Sequence, residues 1–226
     1  MSDGPRVFVD DLDEPVLEPD DRHHLERVLR LRPGEELGVG DGAGRWRRCR
    51  FGPTVEPLGE IEHVDRGAPS LTICFALVKG ERPEWAVQKL TEVGVDRIVP
   101  FVAARGVVRW DGAKAARQAV RLRRVARAAA MQSRRAWLPE VADVATFAQV
   151  STLPGAVLAS PGGSPPSLEH PTVLVGPEGG WAAEEIGAGL PNMSLSPHIL
   201  RSETAAVAAG TLLAALRAGL VVDHTK

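Results

Sequence analysis

The sequence predicts an α/β protein in two parts, a small and mostly β region followed by a larger domain with a parallel sheet. Residues 1–70 hold short alternating apolar and polar runs broken by Gly and Pro, which are typical of short strands. From residue 71 onward, continuous apolar runs alternate with helical segments, as in a parallel sheet covered on both faces. The chain has 226 residues, enough for a small and a medium domain, and we expect domains at 1–70 and 71–226.

The first region is predicted to be a small β-barrel with one helix. The stretch GDGAGRWRRCRF (40–51) predicts a hairpin, because an Asp-Gly turn signal separates two strand-like runs. The stretch EPDDRHHLERVLRLRPGE (18–35) predicts a short helix that stops at its Pro-Gly pair, because three apolar residues have helical spacing. These three are Leu25, Val28 and Leu29.

The second region is predicted to alternate strands and helices up to a final apolar helix. Continuous apolar runs or short alternations predict strands at 71–78, 97–101, 155–160, 172–175 and 193–196. Helices are predicted at 81–94, 113–135, 146–150, 182–190 and 202–220. In the long Ala/Arg helix, Val120, Val125 and Met131 are the residues available to face a core.

Composition excludes several classes of protein. The sequence contains no run of about eighteen apolar residues, so no membrane-spanning helix is expected. The N-terminus is acidic and lacks the basic segment followed by an apolar segment that is typical of a signal peptide. Cys49 and Cys74, the only cysteines, lie in separate strand-like segments and predict neither a disulfide framework nor a metal knuckle. The pair His23-His24 lacks further ligands at a known metal spacing, so no metal is expected. These features favour a reduced cytoplasm.

Charge is unevenly distributed, although the net charge is −2. Residues 1–21 carry eight acids, and Arg6 is their only basic residue. Residues 105–135 carry ten bases, and Asp111 is their only acid. The basic segment is a plausible footprint for a polyanion, while an ordinary solvated arginine-rich helix explains the charge equally well.

The turn GPEGG (176–180) follows an apolar strand and precedes a helical run, where parallel sheets bind ligands. It matches neither phosphate-binding glycine motif, and no lysine follows it. With Glu178 in its centre, it suits a neutral or cationic ligand held by backbone groups, and a side chain at Gly179 is expected to block that ligand. Taken alone, the turn could also be an ordinary connection between a strand and a helix.

A second strand–loop–helix junction follows at residues 195–210. Ser202 is placed to cap the final helix, with Glu203 in its first turn. Arg201 has no such structural role, and an arginine among backbone donors at a strand end suits a developing negative charge. We therefore expect Arg201 to be the most important functional side chain.

Three ordered motifs resemble the RsmE family, and the resemblance spans essentially the whole chain. They are KGERPEWAVQKLTEVGV (79–95), GPEGGW (176–181) and ILRSETA (199–205). The stretches at 23–35 and MQSRR (131–135) are also similar to family motifs. The chain departs from the family pattern at four positions: Met131, Ala182, Ser196 and His198.

The resemblance implies a fold, a cofactor and an activity. Family members are S-adenosylmethionine-dependent enzymes that methylate N3 of a uridine in 16S ribosomal RNA of the small subunit. The resemblance also implies a PUA-like RNA-binding barrel at 1–70 and a SPOUT methyltransferase domain with a trefoil knot at 71–226. It further implies a homodimer with a shared active site. The cofactor would contact Leu158, Ala159, Val175, Gly176, Pro177, Glu178, Gly179, Gly180, Leu195, Ser196, Ile199, Leu200 and Ser202.

Methylation of uracil N3 assigns roles to two charged residues. The N3 proton must leave, so a cation near a carbonyl oxygen and a carboxylate that accepts the proton would both help. Arg201 is the candidate for the first role and Glu203 the weaker candidate for the second. The expected RNA contacts are Arg22, His24, Arg27, Arg30, Arg32, Arg105, Arg109 and Arg134, with further arginines on the hairpin at 45, 47, 48 and 50.

Three questions stay open at this point. A non-catalytic RNA-binding dimer, or a related knotted methyltransferase that acts on transfer RNA, would share much of this pattern. Trp46 on the hairpin could stack on a base, although a place in the core is the favoured interpretation. Glu178 could hold its loop in place or face a ligand.

Overall fold

The computed structural model of the protein describes residues 4–221 and divides into two compact units. The first unit contains residues up to Arg66 together with Arg127–Leu138. The second contains Gly67–Ala126 and the chain from Pro139 onward. Asp3, one of the N-terminal acids, and the last five residues of the chain lie outside the described residues.

The first unit is built on a mixed five-stranded sheet. Its strands are β1 (Arg6–Phe8), β2 (Glu36–Gly40), β3 (Arg45–Arg50), β4 (Glu56–Pro57) and β5 (Glu62–His63). β1 and β2 are parallel, and β3 pairs antiparallel with β2, β4 and β5. The predicted hairpin is confirmed, with Gly40 opposite Trp46 across β2 and β3. Trp46 is buried, which supports its favoured place in the core.

The predicted helix of the first region is shorter and more irregular than its sequence spacing suggests. It begins as α1 (Pro19–His23) and continues as a π-helical turn, His24–Val28. A π-helical turn is wider than an α-helical one, so residues three and four apart no longer share a face. Leu25 is buried, while Val28 and Leu29 are exposed, and the helix ends before the Pro-Gly pair that was expected to stop it.

An ion pair holds this helix within the first unit. The guanidinium of Arg127 donates to both carboxylate oxygens of Asp21, at 2.9 and 2.7 Å, and to the carbonyl oxygen of Phe8 at 3.0 Å. The hydrogen bonds to Asp21 raise the pKa of Arg127, although its burial opposes them. A bidentate pair of this kind fixes the orientation of both side chains.

The second unit is a seven-stranded sheet in which every strand pair is parallel, as predicted. The order is β12-β10-β11-β6-β7-β8, with β9 also paired to β7. The strands are β6 (Thr72–Ala76), β7 (Arg97–Val102), β8 (Glu140–Val141), β9 (Ala145–Thr146), β10 (Ala156–Ser164), β11 (Thr172–Val175) and β12 (Asn192–Met193). The sequence did not predict β8 and β9, and β12 ends at Met193, so the predicted strand at 193–196 is mostly loop.

Helices follow the strands where the sequence placed them. They are α2 (Arg82–Glu92), α3 (Gly112–Gln132), α4 (Phe147–Val150), α5 (Ala183–Ile186) and α6 (Ser202–Arg217). α6 packs against α2 at Gly210, where a Cβ atom would lie 2.7 Å from the side chain of Leu90. None of the helices within residues 4–221 is long and apolar enough to cross a membrane.

The buried face of α3 agrees only in part with the one expected, because Val125 and Met131 pack against a core and Val120 does not. Val120 is exposed, while Val125 and Met131 are partly buried. The buried face consists mainly of small residues with one leucine: Ala119, Leu122, Ala126, Ala129 and Ala130. Alanine loses little side-chain entropy on burial, so a helix can bury an alanine face and leave an isolated valine in solvent.

Candidate active site

A cavity of about 240 Å³ lies at the carboxyl end of β11 and beside the middle of β10. Three segments line it: the middle of β10 (159–161), the glycine-rich turn after β11 (175–181), and the loop from β12 into α6 (195–205). Parallel sheets bind ligands at this edge. The two junctions that the sequence singled out therefore meet at one cavity.

Trp181 forms one wall of this cavity. Its ring stacks on Phe101 at 6.2 Å between ring centroids, and its indole N–H donates to the carbonyl oxygen of Ala159 at 3.0 Å. A Cβ atom on Gly176 would lie 3.0 Å from the Trp181 ring. Any larger residue at position 176 would therefore force the ring to move.

A hydrogen bond joins the turn to the final helix. Ser202 Oγ donates to the carbonyl oxygen of Gly176 at 3.0 Å. The prediction that Ser202 caps α6 is wrong, because Arg201 occupies the N-cap position and Ser202 is the first helical residue. Its hydroxyl instead satisfies a carbonyl of the neighbouring turn, and neither residue makes a side-chain cap.

The carboxylate of the turn is tied down by an arginine that the sequence did not single out. Arg82 Nη1 lies 2.9 Å from Glu178 Oε1, and Arg82 Nε lies 3.7 Å from Glu203 Oε1. Arg82 therefore bridges the turn and the first turn of α6 from the start of α2. The other oxygen of Glu203, Oε2, is buried without a hydrogen-bond partner in the described chain. The only sequence signal for Arg82 was its place in the motif at 79–95.

Arg201 is exposed at the start of α6, between the two cavity-lining residues Leu200 and Ser202. Its guanidinium makes no hydrogen bond or ion pair within residues 4–221. The loop before it is held by Ser196, whose Oγ accepts the backbone N–H of His198 at 3.0 Å. Arg201 thus carries an uncompensated positive charge beside the cavity.

Comparison with known proteins identifies the family. A family model described as an RNA methyltransferase domain matches residues 66–214, and an RNA methyltransferase PUA domain matches residues 17–52. Among curated proteins, ribosomal RNA small subunit methyltransferase E of Mycobacterium bovis is 35% identical over 86% of this chain and 83% of its own. The enzyme of the same name from Bacillus subtilis is 30% identical over 81% and 82%. The chain belongs to the RsmE family of RNA methyltransferases.

Solved structures of related proteins agree with this family. A methyltransferase from Legionella pneumophila in complex with S-adenosylmethionine has a TM-score of 0.81 at 27% identity, covering 95% of this chain and 98% of that one. Ribosomal RNA small subunit methyltransferase E from Neisseria gonorrhoeae, bound to S-adenosylmethionine, has a TM-score of 0.79 at 28% identity, covering 94% and 98%. The fold of both units is therefore one that other proteins of this kind share along nearly their full length.

The cavity gathers most of the residues that the family resemblance assigned to the cofactor. Eleven of them line it: Ala159, Val175, Gly176, Pro177, Glu178, Gly180, Leu195, Ser196, Ile199, Leu200 and Ser202. Leu158 is buried in the core of the sheet, and Gly179 does not line the cavity. Five lining residues were not assigned to the cofactor: Ser160, Pro161, Trp181, His198 and Ala205.

The helix after the glycine-rich turn shows how this family member compensates for a missing cap. Ala182 at the N-cap of α5 has no side-chain acceptor. Glu185, which is buried, accepts the backbone N–H of Ala182 through Oε2 and that of Ala104 through Oε1, both at 2.8 Å. One carboxylate therefore holds both the helix start and the loop after β7.

The expected RNA contacts of the first unit have different surroundings. Arg22 donates to the carbonyl oxygens of Gly52 and Pro53, at 3.0 and 3.1 Å, and so has a structural role. Its guanidinium also lies over the ring of Phe51. The remaining side chains are exposed: His24, Arg27, Arg30, Arg32 and Arg134.

The hairpin arginines are mostly committed to neighbours within the first unit. Arg47 donates to the carbonyl oxygen of Leu12 at 3.2 Å, and its side chain is only 14% exposed. The others pair with acids: Arg45 with Asp41, Arg48 with Glu36, and Arg50 with Glu56. An RNA strand would have to compete with these acids for the arginines.

The basic segment 105–135 is partly neutralised in the second unit. Arg121 pairs with Glu84 at 3.1 Å, and Arg123 pairs with Asp143 at 2.7 Å. Arg105 donates to the carbonyl oxygen of Gly179 at 3.3 Å, so it supports the glycine-rich turn, while Arg109 is exposed. The net charge counted from the sequence therefore overstates the free positive charge.

Burial makes the two thiols poor nucleophiles. Burial raises the pKa of Cys49 to about 11 and that of Cys74 to about 12. Both cysteines are free. Within residues 4–221, no group of three or more His, Cys, Asp and Glu side chains has an arrangement that could hold a metal ion.

Proposed function

We propose that this protein methylates N3 of a uridine in 16S ribosomal RNA of the small subunit, with S-adenosylmethionine as the methyl donor. The observation that carries the proposal is the cavity between the middle of β10 and the end of β11, with the uncompensated Arg201 beside it. Small-subunit ribosomal RNA is the substrate named for the curated relatives, and two similar structures are bound to S-adenosylmethionine. The proposal extends that substrate and cofactor to this chain.

The lining of the cavity fits a sulfonium nucleoside better than a nucleotide phosphate. The turn has no lysine, and its one acid, Glu178, is already paired with Arg82. Backbone N–H and C=O groups with apolar side chains such as Val175 and Leu195 suit an adenosine moiety. Bound there, S-adenosylmethionine would supply a methyl group activated by its positively charged sulfur.

We assign the two charged residues of the junction different tasks. A guanidinium at Arg201 would stabilise negative charge on a uracil carbonyl oxygen, which favours loss of the N3 proton. Glu203 is a weaker candidate for the proton acceptor, because its Oε1 already lies 3.7 Å from Arg82 Nε. Its main contribution would be to hold Arg82 against the turn.

We propose a homodimer as the working form. Ile199 lines the cavity yet is 92% exposed, and Val107, on the loop near the glycine-rich turn, is 74% exposed. Apolar side chains beside a binding site suit burial against a second copy. Replacing Ile199 with Asp should then shift the sedimentation of the protein from dimer toward monomer.

The finer features of the fold also belong to this proposal. We propose that the sheet of the first unit closes as a PUA-like barrel, supported by the PUA match over residues 17–52. The loops around the cavity in the second unit would form a trefoil knot of the SPOUT type. The cytoplasm, where small subunits are assembled, would be the place of action.

Two measurements test this function. Isothermal titration with S-adenosylmethionine should give saturable binding, and absence of binding at high micromolar cofactor would favour a non-catalytic RNA-binding dimer. Mass mapping of ribosomal RNA from a deletion strain should show one uridine without its methyl group. An unchanged ribosomal RNA with an altered transfer RNA would instead favour a transfer RNA methyltransferase.

A further inference from the structure

The first unit contains a second and larger cavity. Its volume is about 700 Å³, and every lining residue belongs to the first unit. Its apolar wall includes Leu25, which is wholly buried, and Met131, which is partly buried. His24 and Gln132, both exposed, supply polar groups at the opening.

Three rare backbone features meet at this cavity. Within residues 4–221, only two residues other than glycine have a positive φ, Arg30 and Arg134, each at 56°. Arg134 lines the cavity, and Arg30 lies between two leucines that line it. The π-helical turn at 24–28 contributes its first two residues to the lining. Positive φ is unfavourable for such side chains, and both it and π-helical turns concentrate at functional sites.

The polar side of the cavity favours an anion. Arg6 Nη1 donates to the carbonyl oxygen of Arg134 at 2.7 Å, while its guanidinium lies 4.5 Å from the centroid of the Trp46 ring. Burial, and then the positive charge of Arg134, lower the pKa of Arg6, while the negative charge of Glu62 opposes them. The acid in the lining, Asp21, is already neutralised by Arg127. The positive charges of Arg6 and Arg134 therefore act on each other, while the lining carboxylate of Asp21 is occupied by Arg127 and Glu62 is an acid that acts on Arg6.

We propose that this cavity holds one unpaired nucleobase of the RNA, with neighbouring phosphates against Arg6, Arg30 and Arg134. The apolar wall would cover the face of the base, and His24 and Gln132 would reach its polar edge. Single-stranded RNA is recognised in this way, through splayed bases and charged contacts to the backbone. The inference rests on the proposed function only in taking RNA as the substrate.

Filling the cavity tests the base contact. Ala128 lines the cavity and is exposed on α3, so Ala128→Trp fills space without removing a core side chain. Ala116, also exposed on α3, does not line it, and Ala116→Trp is the matched control. Fluorescence anisotropy would measure the affinity for oligouridine of roughly ten nucleotides and for an abasic oligomer of the same length.

We expect the wild-type protein to bind oligouridine about tenfold more tightly than the abasic oligomer. Ala128→Trp should lose this preference while binding the abasic oligomer normally, and Ala116→Trp should keep it. Retention or increase of the preference in Ala128→Trp would overturn the proposal. So would a wild-type protein that binds both oligomers equally or binds neither.

A second variant tests the backbone contact without filling space. Arg30→Gly removes one charge and relieves the positive φ, so thermal stability should stay the same or rise. Binding of both oligomers should weaken. The slope of the logarithm of affinity against the logarithm of salt concentration should become shallower by about one, as expected for the loss of one phosphate contact. Unchanged binding would overturn the role of Arg30 in the proposal. Titration with S-adenosylmethionine on every variant separates this proposal from the proposed function, because its result does not depend on this cavity.

Discussion

Arg82 at the start of α2 forms an ion pair with Glu178 in the glycine-rich turn, with 2.9 Å between Nη1 and Oε1. The two residues lie 96 positions apart in the chain. The sequence left open whether Glu178 holds its loop in place or faces a ligand. The ion pair shows that Glu178 holds its loop through Arg82. The same guanidinium approaches Glu203 in the first turn of α6, so one side chain organises both loops at the cavity.

Replacing Arg82 with Ala should weaken cofactor binding more than it lowers stability. The partners are 41% and 47% exposed, so the pair contributes at most about 1 kcal/mol to folding. The freed turn must become ordered again on binding, which should raise the dissociation constant for S-adenosylmethionine about fivefold. Arg97→Ala, which breaks the exposed pair with Glu140, is the control and should leave titration unchanged. Equal effects in both variants would contradict the anchoring role.

Replacing Gly176 with Ala should impair cofactor binding. The new Cβ would lie 3.0 Å from the Trp181 ring, so the ring must move and its hydrogen bond to Ala159 weakens. We expect a loss of stability of roughly 1–3 kcal/mol and clearly weaker binding by calorimetry. Gly112→Ala is the control, because Gly112 does not line the cavity and a Cβ atom there would meet nothing within 4 Å. Normal cofactor binding by the Gly176 variant would show that S-adenosylmethionine binds at a different place in the protein.

Replacing Arg201 with Ala should leave folding and cofactor affinity nearly intact. Its side chain is exposed and makes no hydrogen bond or ion pair within residues 4–221, so little native structure is lost. Methyl transfer to small subunits, measured with labelled cofactor, should fall about 100-fold if the guanidinium stabilises charge during the reaction. Arg201→Lys should recover part of the activity. A collapse of cofactor binding in the Ala variant would assign Arg201 a different role.

Replacing Arg217 with Met should strongly destabilise the second unit. Its guanidinium pairs with Asp96, donates to Gly94 O at 2.8 Å and to Pro69 O at 3.1 Å, and Asp96 is buried. Removing one partner of a buried pair costs about 3–5 kcal/mol, because the other charge is left without compensation. Urea denaturation would measure this loss. The double variant with Asp96→Asn should be less unstable than the sum of the two single variants, and strict additivity would exclude a coupled pair.

The thiols should resist alkylation in the folded protein and lower its stability at alkaline pH. The pKa of Cys74 is raised by burial from 9.0 to about 12, so the folded state holds the proton more tightly than the unfolded state. The contribution of this pKa shift to the free energy of unfolding is fully present below pH 9 and is lost as the pH rises toward 12. The chain has no tyrosine, which leaves few other groups that titrate in this window. Reaction of either thiol at pH 8 without denaturant would contradict this burial.

The parallel sheet could be predicted from sequence because its signals are local. Fully buried strands such as β6 and β11 are continuous apolar runs, and the Asp-Gly pair between β2 and β3 indicates a hairpin because strand-like runs flank it on both sides. The two-residue strands β8 and β9 could not be predicted in this way. They exist only because β7 offers them an edge to pair with.

The sequence by itself determined which loops line the cavity, because glycine, arginine and cap-forming residues stand out at the two strand–helix junctions. The tertiary structure decided what each side chain does there. Ser202 bonds to the turn at Gly176, Glu178 pairs with Arg82, and Arg201 stays uncompensated. Local sequence states what a residue can donate or accept, whereas the partner depends on which distant segments the sheet brings together. For the same reason, the cavity between α1, the π-helical turn and the end of α3 in the first unit could be recognised only after folding.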